Sequence, residues 1–229
     1  LNTEHVNIMT LEDPVEYPME MIRQTSVNEA VKLDFANGVR TMMRQDPDII
    51  LVGEIRDSET AEMAFRAAMT GHQVFSTLHT NSAVGAIPRL LDTGILPDIM
   101  AGNIIGVMGQ RLVRKLCVHC KEPYDAPRMV RALLGVGVGG DLPRIYRPVG
   151  CAHCDHAGYK GRLAIAEVLK IDKDIDELIA RRATVSDITK LAQSKGFSNI
   201  AEDGVWRVVQ GVTSLDEVSR VIDLTDRLV

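Results

Sequence analysis

With 229 residues, 45% of them hydrophobic and 25% charged, the chain has the composition of a soluble protein long enough for a full core and more than one domain. Its formal net charge of −5 and its aromatic content of 4% argue against a general nucleic-acid binder, which presents a basic face and stacking side chains. No apolar run approaches the roughly 20 residues of a membrane span, and no secretory leader pattern opens the sequence.

The first predicted strand covers residues 6–11, where polar and apolar side chains alternate before Glu12-Asp13-Pro14. Residues 29–45 follow as a helix. Phe35, Val39, Met42 and Met43 recur at helical spacing, and Asp46-Pro47 ends the run because a residue before proline avoids the helical region. Ile49-Ile-Leu-Val52 is an uninterrupted apolar run with three β-branched members, bounded by Asp-Pro and Gly53. It reads as a strand buried on both faces, as in a parallel sheet. Residues 58–70 form a second helix, with an Asp57-Ser58 cap at its start and Gly71 at its end. A third buried-type strand, residues 73–78, delivers His79-Thr80-Asn81.

Strand, helix, strand, helix, strand makes a βαβαβ unit. Ligands of such sheets bind beyond the carboxyl ends of the strands. Glu12, Glu54 and His79 all fall there. Taken alone, Glu54 has two readings: a carboxylate that holds Mg²⁺ through water beside a phosphate, or an ordinary surface glutamate. The recurrence at three strand ends favours the first.

The four cysteines form two pairs, Cys117-x-x-Cys120 and Cys151-x-x-Cys154. A two-residue gap lets both thiolates of a knuckle face one cation, and two knuckles supply the four soft ligands of a closed tetrahedral Zn²⁺. Disulfides or free thiols are the alternatives, and His119, His153 or His156 could take the place of one sulfur. Between the pairs, Gly135, Gly137 and Gly140 fit G-x-G-x-x-G. They lack the strand and helix that a dinucleotide site requires, so they read as a loop. Toward the C-terminus, residues 186–193 and 215–224 are amphipathic helices. Ser214 and Glu217 fit a capping box, and Phe197 and Trp206 are expected to pack between helices.

These residues together resemble the hexameric secretion ATPases of type II secretion and type IV pilus assembly. Glu12-Asp-Pro-Val-Glu-Tyr17 is similar to that family's aspartate box, residues 43–57 to its Walker B region and residues 70–81 to its histidine box. Gln110-Arg-Leu-Val-Arg114, the tetracysteine segment, Gly158-Tyr-Lys-Gly-Arg162 and Glu202-Asp-Gly204 follow in family order. The resemblance implies a partial RecA-like P-loop NTPase core, an α/β fold with a parallel sheet flanked by helices. It divides the chain into that core at 1–114, a zinc-binding tetracysteine subdomain at 115–162 and a mainly helical subdomain at 163–229. It also implies ATP, Mg²⁺ and Zn²⁺ as cofactors. On this resemblance Glu12 would polarise the attacking water, Glu54 would support Mg²⁺ and His79 would sense or contact the γ-phosphate, with the first two roles exchangeable. Arg56 either reaches across a subunit interface or pairs with Asp57, and Arg40 and Arg44 either serve a neighbouring subunit or form a solvated stripe.

The family's Walker A loop, G-x-x-x-x-G-K-[ST], occurs nowhere in the 229 residues. The chain, which opens on Leu1, is therefore expected to be the C-terminal part of a longer, hexamer-forming ATPase and inactive by itself. The expected partners are further copies and the inner-membrane platform and assembly proteins of a secretion or pilus machine. The expected location is cytoplasmic, peripheral to the membrane through those partners. The tetracysteine segment leans the reading toward assembly or secretion and away from retraction. The alternative is a non-catalytic, zinc-stabilised assembly or regulatory module.

Overall fold

Buried β-branched runs flanked by capped helices build the first layer of this protein, whose computed structural model describes residues 1–126 and 144–224. The glycine segment 135–140 lies outside the described residues. Strands β1 (Ile8–Glu12), β2 (Ile22–Ser26), β3 (Ile49–Val52) and β4 (Gln73–Ser76) form one sheet in the order β2-β1-β3-β4. Every pairing is parallel, with Leu11 opposite Val52 and Val52 opposite Ser76, so the carboxyl ends line up along one rim. Leu11, Ile50 and Val52 are fully buried.

Two strand expectations need correction. β2 (Ile-Arg-Gln-Thr-Ser) is a strand with no sequence signature, because its mixed composition carries no apolar run. It joins β1 in parallel through residues 13–21 alone, without the helical crossover usual for parallel neighbours. β4 was expected to be buried, yet it is largely exposed, with Phe75 38% accessible. Among the described residues it has a strand neighbour on one side only.

The helix expected over 29–45 is shorter. A 3₁₀ turn at Glu29–Val31 ends at Lys32, whose φ of 57° breaks helical continuity. Helix α1 (Phe35–Met42) then starts afresh, with the Asp34 carboxylate accepting from Asn37 N at 2.7 Å. Gly38 lets α1 press on the sheet. A Cβ there would lie 2.3 Å from Leu11 Cδ2. Helix α2 (Ser58–Met69) forms where expected, with Asp57 Oδ1 accepting from Thr60 N at 2.8 Å and Gly71 left-handed at its end (φ 96°).

The chain divides into two compact units, 1–107 with 170–192 and 108–169 with 193–229. The first holds the parallel sheet with α1 and α2. It also contains α3 (Ala86–Asp92), α4 (Pro97–Met100), α5 (Lys173–Ala180) and most of α6 (Val185–Ser194). The second is built on β5 (Gly106–Leu116) paired with β8 (Tyr159–Lys170), and on β6 (Glu122–Tyr124) antiparallel to β7 (Ile145–Arg147). Residues 163–170, read as the start of a helical region, thus continue a strand. Helices α7 (Ile200–Val209) and α8 (Leu215–Val221) close a core of Ile145, Val205, Val208, Leu215 and Val218. Among the described residues, no helix is long and apolar enough to cross a membrane.

Two side chains of this second unit depart from expectation. Trp206 is 53% exposed, because Gly204, Val205 and Val208 are the residues that α7 turns inward. The capping box at Ser214 is half formed. Ser214 Oγ accepts from Glu217 N at 3.2 Å, but the Glu217 carboxylate turns away and is fully buried. It accepts from Arg114 N, Nε and Nη2 at 3.0, 3.0 and 2.6 Å, and from Arg220 Nε and Nη2 at 3.1 and 2.8 Å. A desolvated carboxylate needs that many donors, and a helix cap alone would leave it short. A complete capping box forms instead between Asn199 and Glu202.

Candidate functional site

Parallel pairing in register puts three predicted residues at one end of the sheet. Glu12 is the last residue of β1, Glu54 lies two residues past β3, and His79 lies three past β4. Glu54 and His79 meet directly, with His79 Nε2 3.1 Å from Glu54 Oε2. The imidazole is 84% exposed, whereas the Glu54 side chain is 14% exposed. The base of the pair is thus held and its tip faces water.

Backbone bonds hold Glu54 from both sides. Thr77 Oγ1 donates to Gly53 O at 2.7 Å, and Ile55 N donates to Thr77 O at 3.0 Å. One residue of the segment after β4 therefore brackets the residue before Glu54 and the residue after it. Gly53 itself lies against β1, its N–H donating to Leu11 O at 2.7 Å.

Arg56 corrects the sequence reading. It does not pair with Asp57, which is occupied in capping α2. Its guanidinium bonds Glu54 Oε1 at 2.5 Å and lies 3.8 Å from Asp13 Oδ2. The Arg56 contact holds the Glu54 carboxyl below its usual range, against the opposing effect of burial and with help from His79. Arg56 thereby links the β1 and β3 ends of the rim. The Glu12 carboxylate turns toward β2 and away from Glu54, accepting from Thr10 Oγ1 at 2.5 Å and Gln24 Nε2 at 3.0 Å. Arg40 is engaged locally, donating to Asn37 Oδ1 at 2.7 Å and lying 3.6 Å from Glu59, and Arg44 is exposed. Neither Thr77 nor Gln24 stands out in the sequence, because their contacts join segments far apart in the chain or side chains across a pairing not foreseen.

The second site is the cysteine quartet. Cys117, Cys120, Cys151 and Cys154 place their four sulfurs within 4.8 Å of one another. The separations include 3.9 Å for Cys117–Cys151, 3.8 Å for Cys120–Cys154 and 3.9 Å for Cys151–Cys154. A tetrahedron with Zn–S bonds of about 2.3 Å has edges of about 3.8 Å, so the donor set fits Zn²⁺. All four cysteines are free of disulfide bonds. Among the described residues, no histidine joins the quartet, and His119 and His153 stack on each other with centroids 4.2 Å apart.

Backbone donors converge on two of the sulfurs. Gly150 N reaches Cys120 Sγ at 3.3 Å, while Cys151 N and Gly158 N reach Cys154 Sγ at 3.3 and 3.2 Å. Such bonds orient thiolate ligands and spread their charge. Burial disfavours the Cys154 thiolate, but these two N–H groups, together with the Cys120 and Cys151 thiols, hold the thiol down to about 7. Gly150 is required by geometry. Its φ is 108°, and a Cβ there would meet His156 O at 2.5 Å.

Comparison with known proteins gives the chain relatives along almost its whole length. The family described as Type II/IV secretion system protein matches residues 1–220. Type II secretion system protein E of Pseudomonas aeruginosa is 49% identical over 96% of this chain and 44% of that protein. The type IV pilus assembly ATPase TfpB of Acinetobacter baylyi is 46% identical over 98% of this chain and 39% of that protein. The chain thus spans less than half the length of these curated relatives. Among solved structures, the pilus retraction motor PilT with bound ADP superposes with a TM-score of 0.68 at 28% identity, over 95% of this chain and 53% of PilT. The Legionella pneumophila ATPase DotB superposes with a TM-score of 0.65 at 22% identity, over 96% and 53% of the two chains, a likeness of fold.

Proposed function

We propose that this chain, which belongs to the type II/IV secretion system protein family, is the catalytic rim and zinc-stapled portion of a hexameric ATP-driven motor. The motor would work on inner-membrane assembly proteins from the cytoplasmic side. The observation that carries the reading is the meeting of Glu54, Arg56 and His79 beside Glu12 at the carboxyl rim of a parallel sheet. Hydrolysis of a phosphoanhydride needs an oriented water and dispersed charge. Glu12 would orient the water, Glu54 would hold Mg²⁺ through water, and His79 would meet the γ-phosphate. Mg²⁺, when bound, supplies neutralising charge at the β- and γ-phosphates. Arg56 keeps Glu54 ionised and so fit for a cation. Relatives named for secretion and for pilus assembly match to a similar degree, so the proposal is the motor step that they share. The four cysteines would hold a structural Zn²⁺ with no open coordination position.

The test is turnover. The chain alone, without a phosphate-binding loop in its 229 residues, should hydrolyse ATP negligibly. The longer protein, carrying a Walker A segment and an N-terminal domain, should do so under conditions that permit hexamers, and removing the Walker A lysine should weaken nucleotide binding. Robust hydrolysis by the chain alone would defeat this division of labour. A longer protein that binds nucleotide but never turns it over would favour the non-catalytic module.

A further inference from the structure

Gln24 sits in the middle of β2, opposite Thr10 of β1. Its carboxamide is used three ways. Oε1 accepts from Met19 N at 2.6 Å, while Nε2 donates to Tyr17 O at 3.1 Å and to Glu12 Oε1 at 3.0 Å. This pattern fixes the orientation of the amide. A flipped amide would face an N–H with its own N–H, and a carbonyl and a carboxylate with its own oxygen. Thr10 Oγ1, in a residue only 2% exposed, bonds the same Glu12 Oε1 at 2.5 Å. Both donors therefore fall on one carboxylate oxygen. Glu12 Oε2 accepts nothing from the described residues.

Gln24 also anchors the helix-free crossover that leads from β1 to β2. That segment, residues 13–21, exposes Tyr17 (77%), Met19 (47%) and Met21 (59%). It is tied down by Gln24, by Val15 N donating to Ser26 Oγ at 3.1 Å and by Asn2 Nδ2 donating to Glu20 O at 2.9 Å. A displaced crossover must either break two bonds to Gln24 or pull Gln24 off Glu12.

We infer that Gln24 is a positioning residue for Glu12: it fixes the carboxylate so that Oε2 is the oxygen presented to water, and it makes that orientation depend on the seating of residues 13–21. The inference rests on the reading of Glu12 as the residue that orients the attacking water.

Three substitutions separate the possibilities, with turnover and nucleotide affinity measured in the longer protein. Gln24→Leu should lower kcat by about 10- to 100-fold, the scale of a misplaced reacting group, and leave affinity within about threefold. Gln24→Glu keeps the acceptor for Met19 N but removes both donated protons, so it should lose turnover as Leu does. In the present chain, amide exchange at Met19 should speed up with Gln24→Leu and stay slow with Gln24→Glu. Glu12→Asp withdraws the carboxylate from Gln24's reach, so adding Gln24→Leu to it should cost nothing further. If the two effects multiply, or if Gln24→Glu turns over normally, Gln24 is only a loop anchor and the inference is wrong. If Glu12→Asp by itself leaves turnover unchanged, the role of Glu12 fails first and takes this inference with it.

Discussion

The rim and the cysteine quartet solve opposite problems with the same backbone tools. At the rim, the Thr77 hydroxyl on Gly53 O and the Ile55 N–H on Thr77 O fix Glu54 at its base, while the tip of the partner imidazole is 84% exposed. Such a site can bind and release. At the quartet, N–H groups point at sulfurs that already face one another, and Cys117 and Cys154 are buried. That site is closed and has nothing to exchange. The difference predicts which property each substitution damages. Rim changes should alter chemistry at nearly constant stability, and changes around the quartet or in its unit should alter stability.

The largest effect should come from Glu12→Gln in the longer protein. Turnover should fall by about 10²–10⁴-fold, the range for losing a general base, with the melting temperature and nucleotide affinity almost unchanged. Unfolding at lower temperature would break the comparison, because the rim would then be structural. Next, Cys154→Ser should cost more than about 4 kcal/mol, as losses of a structural metal do. Zinc measured by elemental analysis should drop from one per chain to a small fraction. Wild-type protein purified without chelator, with intact thiols and no metal, would show the quartet to be something other than a zinc site.

Third is Glu217→Gln, expected to destabilise by about 2 kcal/mol at neutral pH because it removes a buried carboxylate charge answered by two half-exposed arginines. Arg220 holds this carboxyl down to about 2, against burial and together with Arg114, from an ordinary value of 4.5. A depressed carboxyl stabilises the fold fully above its unfolded value and loses that contribution as pH falls through its folded one. Stability of the parent should therefore decline between about pH 5 and pH 2, and Glu217→Gln should flatten that decline in urea melts at stepped pH. The smallest effect belongs to Trp206→Ala. Its ring is half exposed and touches the Arg207 guanidinium 4.7 Å from its centroid, so the loss should stay within about 1 kcal/mol in the same assay. A larger loss would mean that Trp206 supports the core from its exposed position.

Much of this protein was legible in its sequence where one segment carried its own signal. Ile49–Val52 is apolar and β-branched, and a strand buried on both faces needs nothing else. Asp57 and Gly71 announce the ends of α2 by local hydrogen bonding and a left-handed φ. The C-x-x-C pairs carry their ligand geometry within four residues. What failed were signals whose meaning depends on a distant partner. β2 pairs as a strand although its composition is mixed, because β1 offers it a ladder. Glu217 spaces like a cap but answers two arginines, one of them 103 residues away. Trp206 is large and apolar, yet the helix presents Gly204, Val205 and Val208 to the core.

The sequence by itself therefore determined β1, β3 and α2, the rim positions of Glu12, Glu54 and His79, and the pairing of the four thiols into two C-x-x-C knuckles. Short-range sterics, capping and periodicity act within a few residues and leave their mark in the order of side chains. Only the tertiary structure decided that Arg56 joins Glu54 to Asp13, that Thr77 brackets Glu54, that Gln24 holds Glu12, and that the quartet is sulfur only. Each of those contacts is a choice among several partners within reach, and packing in three dimensions makes it.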